Sequence, residues 1–224
     1  MKRLLATMIA AGALGTALPG WAADVKPGDA NAGRAHARVA QCIGCHGIPG
    51  YQSSFPQVHK VPMISGQTAA YITAALQGYK KGERKHPTMR AVAADLSEQD
   101  IADIAAYYES HVSPSNIPET PAQAPDRVAE LLTRGNCASC HGANFNKPIP
   151  GYPKLAGQHA DYLLVALKAY QASDNAKIGR NNAIMAGMAK PFSHEELKLM
   201  ADYIASLPGG LATVPQPAFR TAQR

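Results

Sequence analysis

The pentapeptide Cys42-Ile-Gly-Cys45-His46 returns at residues 137–141 as Cys137-Ala-Ser-Cys140-His141, and the two occurrences use all four cysteines of the chain. Three chemistries compete for such a unit: covalent haem attachment, zinc binding and a thioredoxin-like dithiol. The histidine separates them. Cysteines at i and i+3 lie on one side of a helical turn, where both sulfurs can bond to the vinyl groups of one porphyrin. A histidine at i+4 then lies beneath the ring and can ligate its iron. A structural zinc site more usually draws its histidines from far along the chain, and a redox dithiol does not need one. The expectation is two covalently attached haem c groups, one on Cys42 and Cys45 with His46 as ligand, the other on Cys137 and Cys140 with His141.

The first residues agree with the oxidising compartment in which such proteins mature. Lys2 and Arg3 precede a run that stays uncharged until Asp24, the pattern of a secretory signal, and cleavage after Ala22 places Gly20 and Ala22 at the small-residue positions. The apolar stretch Leu4 to Leu18 is short for a membrane span. The expected mature protein is periplasmic, and thioether bonds would withdraw its thiols from disulfide chemistry. Loss of Lys2 and Arg3 takes the formal charge from +6 to +4, a mild excess that gives no reason to expect nucleic acid as a partner. Basic residues gather in 79–90, at Lys80, Lys81, Arg84, Lys85 and Arg90, and are expected on a solvated surface, with a docking patch as the alternative.

The pentapeptides belong to a longer repeat. Residues 62–79 align with 153–170, matching Pro62 to Pro153, Gly66 to Gly157, Gln67 to Gln158, Tyr71 to Tyr162 and Tyr79 to Tyr170. Residues 89–108 align with 185–204, placing Met89 on Met185, Ser97 on Ser193 and Tyr107 on Tyr203. The chain reads as a tandem duplication. Its expected parts are a cleaved signal (1–22), a first domain (23–112), a Pro-rich linker (113–125), a second domain (126–208) and a tail (209–224). Each copy is only about 85 residues, small enough that a haem would supply much of its core.

Helical periodicity dominates and no segment alternates convincingly as a strand, so the expected fold is all-α. Ser97-x-x-Asp100 and Ser193-x-x-Glu196 mark the starts of two closing amphipathic helices as acidic capping boxes. A helix is expected to lead into each haem motif, N-capped by Asp29 in the first copy and by Asp126 in the second.

What fills the sixth iron position decides between electron transfer and chemistry on a bound molecule. A methionine thioether favours ferrous iron and closes the site. Met89 and Met185 are the candidates, each expected in a loop eight residues before its capping serine. Met63, Met188 and Met200 read as packing residues, although Met188 lies one turn from Met185. His86, three residues before Met89, is the histidine that could displace it.

On the two CxxCH motifs, on "PMISGQ" and "PKLAGQ", and on the two Met…Ser endings, the chain resembles the class I cytochromes c, and within them the di-haem cytochrome c4 type. The resemblance implies two tandem class I domains with facing haem propionate edges, His46 and Met89 on one iron, and His141 and Met185 on the other. It also implies that the carbonyls of Pro62 and Pro153 accept a hydrogen bond from the proximal imidazoles. The implied function is a carrier of single electrons, not an enzyme, at most peripherally attached to a membrane. Its donor would be a quinol-oxidising complex or dehydrogenase, and its acceptor a terminal oxidase or reductase. The alternatives are a fixed subunit of a dehydrogenase and a di-haem peroxidase or thiosulfate-oxidising enzyme. Departures from the family pattern are a longer first haem loop (Tyr51 to Lys60), a longer second methionine loop (Ser173 to Asn182), Phe192 in place of the usual leucine, and the tail.

Overall fold

The computed structural model describes residues 25–31, 33–111, 116–172 and 175–215. The expected signal over 1–22, and the end of the tail from 216 onward, lie outside the described residues. The first copy contains α1 (Gly33–His46), a short antiparallel pair β1 (Gln52–Ser53) and β2 (His59–Lys60), α2 (Ala69–Lys80), α3 (Pro87–Ala94) and α4 (Glu98–Ser110). The second contains α5 (Asp126–Arg134), α6 (Ala138–His141), α7 (Ala160–Gln171), α8 (Ala183–Ala189) and α9 (His194–Ser206). The protein is thus mostly helical, and the strands correct the expectation of none: two residues each are too few to show alternation in sequence.

Both closing helices start where their capping boxes place them. Ser97 Oγ accepts from the Asp100 N–H while the Asp100 carboxylate accepts from the Ser97 N–H, and Ser193 with Glu196 repeats the exchange. In the first copy α4 packs on α1 and α2, burying Ile72, Leu76, Ile101 and Ile104 around Val39. In the second α9 packs on α7 and α5, with Leu131, Leu163, Leu197 and Ile204 inside.

The helix starts before the haem motifs differ from expectation. Asp29 does not cap α1: its carboxylate accepts from the Asn31 N–H in a local turn, and its own N–H donates to Asp103 Oδ1. Asp126 is the first residue of α5, where its charge favours the helix dipole, and Pro125 holds the cap position. The helix leading into the second motif is also interrupted, since α5 stops at Gly135 and Asn136 turns to φ 45° before α6 begins.

The two copies pack against each other through backbone as well as side chains. The segments around Arg84 and Arg180 run antiparallel, Lys85 N–H donating to Gly179 O and Asn181 N–H to Glu83 O. After α9 the chain crosses back, and Ala212 N–H donates to Ser65 O in the first copy. The linker lies along the second copy, where Tyr203 Oη donates to Ala122 O at 2.6 Å and Asn144 Nδ2 to Pro118 O at 3.2 Å.

Candidate haem sites

The last turn of α1 presents Cys42, Cys45 and His46 to a cavity of about 410 Å³ that Met89 from α3 also lines. The ring of His46 is fixed from below, because its Nδ1 lies 2.8 Å from Pro62 O and donates to it. Burial pushes the His46 imidazole below its ordinary value, and the Pro62 carbonyl opposes this only in part. A neutral imidazole with Nδ1–H engaged keeps Nε2 as a lone-pair donor, the form a metal requires. Burial also raises the Cys42 thiol to about 11.

The second copy repeats the arrangement around a cavity of about 440 Å³ lined by Cys137, His141 and Met185. His141 Nδ1 donates to Pro153 O at 3.0 Å, and desolvation again lowers the imidazole. Its Nε2 is buried without a hydrogen-bond partner among the described residues. A buried polar atom left so is costly, and an iron at that nitrogen would satisfy it. Cys140 is half-buried beside Ser139 and does not line this cavity.

Neither methionine sits in a loop. Each is the third residue of a short helix, and each donates its backbone N–H to the side chain that caps that helix: Met89 to His86 Nδ1 at 3.3 Å, Met185 to Asn182 Oδ1 at 2.9 Å. The cap gives His86 its structural purpose. Its ring also meets Phe55 and Tyr79 edge-on, with centroids 5.6 and 6.4 Å away. Met188 is 44% exposed, although it too reaches the rim of the second cavity. Met200 is buried in the core.

Arg84 contradicts the expectation of a solvated basic segment. Its guanidinium turns inward, donates to Tyr71 Oη at 2.7 Å and lies over the rings of Tyr71 and Tyr79 at 5.2 and 5.3 Å. Arg180 does the same with Tyr162 and Tyr170. Lys80 and Lys85 donate to the carbonyls of Leu96 and Asn175, so much of the segment's charge serves the fold. Both arginines line both cavities. A signal for them was present in sequence, since each stands five residues before its methionine, in Arg-Lys-His-x-x-Met and Arg-Asn-Asn-x-x-Met.

A family model for cytochrome c matches residues 30–111 and again 126–208. A cytochrome c4 of Pseudomonas aeruginosa is 32% identical over 191 residues, covering 80% of this chain and 89% of the relative. The chain belongs to the cytochrome c4 family. As a di-haem cytochrome c it carries two covalently attached haem c groups. The crystal structure of reduced recombinant cytochrome c4 from Pseudomonas stutzeri is similar with a TM-score of 0.59 and 29% identity, over 80% of this chain and 99% of that one. A thiosulfate dehydrogenase electron acceptor of Stutzerimonas stutzeri is 28% identical, over 78% of this chain and 82% of the relative. Family membership decides the three-way choice posed by the CxxCH motifs in favour of haem.

Proposed function

We propose that this cytochrome c4 is a periplasmic shuttle for single electrons, receiving them from a quinol-oxidising complex or dehydrogenase and delivering them to a terminal oxidase or reductase. The observation that carries the reading is that each of two cavities is lined by both a CxxCH histidine and a methionine held in the first turn of a side-chain-capped helix.

In this reading Cys42 and Cys45 would hold one haem, with His46 and Met89 offering donors to its iron, and Cys137 and Cys140 would hold the other, with His141 and Met185. The haem irons supply reversible one-electron exchange between ferric and ferrous states. The residues around them keep that exchange free of competing chemistry. Pro62 and Pro153 fix the imidazole planes through Nδ1. His86 and Asn182 hold the methionine-bearing turns in place, where each sulfur would be available to the iron and would leave less room for a substrate. Apolar walls such as Ile72, Leu76 and Leu163 keep water away, and Arg84 and Arg180 offer positive charge to the haem carboxylates.

The signal-like residues 1–22 support export, and among the described residues no helix is long and apolar enough to cross a membrane. The relative named as a thiosulfate dehydrogenase electron acceptor favours a dehydrogenase as donor, and with it the second reading of a carrier bound to such an enzyme. Mixing the reduced protein with carbon monoxide, peroxide or thiosulfate, and separately with a membrane oxidase preparation, tests the shuttle. Slow or absent ligand binding with rapid electron delivery is expected. Rapid carbon monoxide binding with peroxide or thiosulfate turnover, and no delivery, would replace the shuttle by an enzyme.

A further inference from the structure

Gln67 and Gln158 are equivalent in the repeat, both only 4% exposed, and each spends its side chain on the other copy. Gln158 Oε1 accepts from Met63 N–H at 3.0 Å and Gln158 Nε2 donates to Met63 O at 2.8 Å. Gln67 Oε1 accepts from Lys154 N–H at 2.9 Å and Gln67 Nε2 donates to Lys154 O at 3.0 Å. Met63 and Lys154 follow Pro62 and Pro153. The N–H that each glutamine grips therefore belongs to the same peptide group whose carbonyl accepts from His46 or His141.

We infer that Gln67 and Gln158 are positioning residues acting across the domain interface, each holding the peptide that anchors the proximal histidine of the opposite domain. An amide that donates through its N–H becomes a stronger acceptor at its C=O, because the two bonds polarise one peptide in the same sense. A firmer Nδ1–H···O bond makes the imidazole more electron-rich and favours ferric iron. Each Oε1 also takes a second N–H from its own copy, Thr68 for Gln67 and His159 for Gln158, so both lone pairs of the amide oxygen are engaged and the side chain is tied to its own copy as well as to the other. The arrangement links each haem's potential to the docking of the other domain.

This inference rests on His46 and His141 being the proximal ligands. The test uses the full-length holoprotein with haem methyl resonances assigned per domain by NMR, so that each haem gives its own redox titration. Gln158→Leu keeps the volume and removes both bonds. It should shift the first domain's haem toward the ferrous form by about three- to tenfold in its one-electron equilibrium constant, the upper figure being about 59 mV, and move the second domain's haem much less. Gln67→Leu should do the reverse. Asp161→Ala removes a different contact between the copies, the bond from Lys60 N–H, without touching either peptide, and should leave both potentials in place. Shifts confined to the mutated domain, equal shifts at both haems, or no shift would overturn the inference. Failure of the underlying ligand assignment shows separately, in wild-type oxidised protein, as the absence of iron-shifted resonances from His46 and His141.

Discussion

The two copies reach the same geometry by different routes. In the first, α1 runs unbroken through Cys42, Cys45 and His46, whereas in the second the helix breaks at Gly135 and Asn136 and restarts as the four-residue α6. From histidine to anchoring proline the first copy spends 16 residues, including the β1–β2 pair, and the second 12. From α2 to α3 the chain runs from Lys80 to Pro87, while the corresponding stretch runs from Gln171 to Ala183. Yet the histidine-to-carbonyl distances are 2.8 and 3.0 Å, and both methionines sit third in a capped helix. The ends of each loop touch the haem site and are held, while the number of residues between them differs, because the entropic cost of lengthening a loop grows only slowly with its length.

Removing the proposed methionine ligands would break this equivalence most severely. Met185→Ala should abolish the methionine-to-iron spectroscopic signature of one haem, and Met89→Ala that of the other, each leaving its partner untouched. Met188→Ala should leave both signatures intact, because Met188 lies outside the capped first turn that the two copies share. Loss of a signature in Met188→Ala with retention in Met185→Ala would mean that the second copy departs from the first at its iron.

A milder contrast lies in Gly66 and Gly157, both left-handed at φ 82° and 76° and both donating N–H to the closing helix of their own copy, at Tyr108 O and Ile204 O. An alanine at either position meets the left-handed penalty of about 1–2 kcal/mol. At Gly66 its Cβ would also lie 2.2 Å from Gly210 O, where the chain crosses back after α9, whereas at Gly157 the nearest atom is 3.3 Å away. Gly66→Ala should therefore cost about 2–4 kcal/mol and loosen the crossing segment, and Gly157→Ala about 1–2 kcal/mol. Denaturant unfolding of the two variants measures the gap, and equal losses would show that the crossing gives way freely.

What was legible in the sequence is what a single copy or its repeat writes locally. The CxxCH units, the capping serines and the register of Met89 on Met185 all follow from residues within a few turns of one another. The alignment also put Gln67 on Gln158 and Tyr71 on Tyr162, but it could not say that they face the other copy, since contacts 87 to 95 residues apart leave no periodicity. Arg84 differs because a basic run predicts solvent, whereas Tyr71 and Tyr79 of its own copy, with Tyr170 of the other, enclose it. Asp29 had the chemistry of a cap, but its carboxylate had a nearer partner in the Asn31 N–H.

The smallest expected difference concerns the two capping boxes. In the first copy Asp100 is only 5% exposed and takes Ser97 Oγ at 2.7 Å and Arg38 at 3.6 Å besides the cap. In the second, Glu196 works nearer the surface. The Ser193 backbone N–H and then the Arg134 guanidinium stabilise its carboxylate and hold it below the ordinary value of 4.5, with Arg127 adding a second cation at 2.7 Å. A group whose folded value is depressed contributes fully above its unfolded value and loses that contribution as pH falls through the folded one. Glu196→Gln keeps a side chain able to close the box and removes only the charge. Its thermal midpoint should lie slightly below wild type at neutral pH, converge with it as pH falls below about 4.5, and approach it at high salt, because exposed pairs are screened. Asp100→Asn should lose more, and salt should recover little of it, because the buried carboxylate is shielded from ions. If Glu196→Gln kept its full deficit in acid, the charge would be idle and the box would act through hydrogen-bond geometry alone, making the two copies more alike than their exposures suggest.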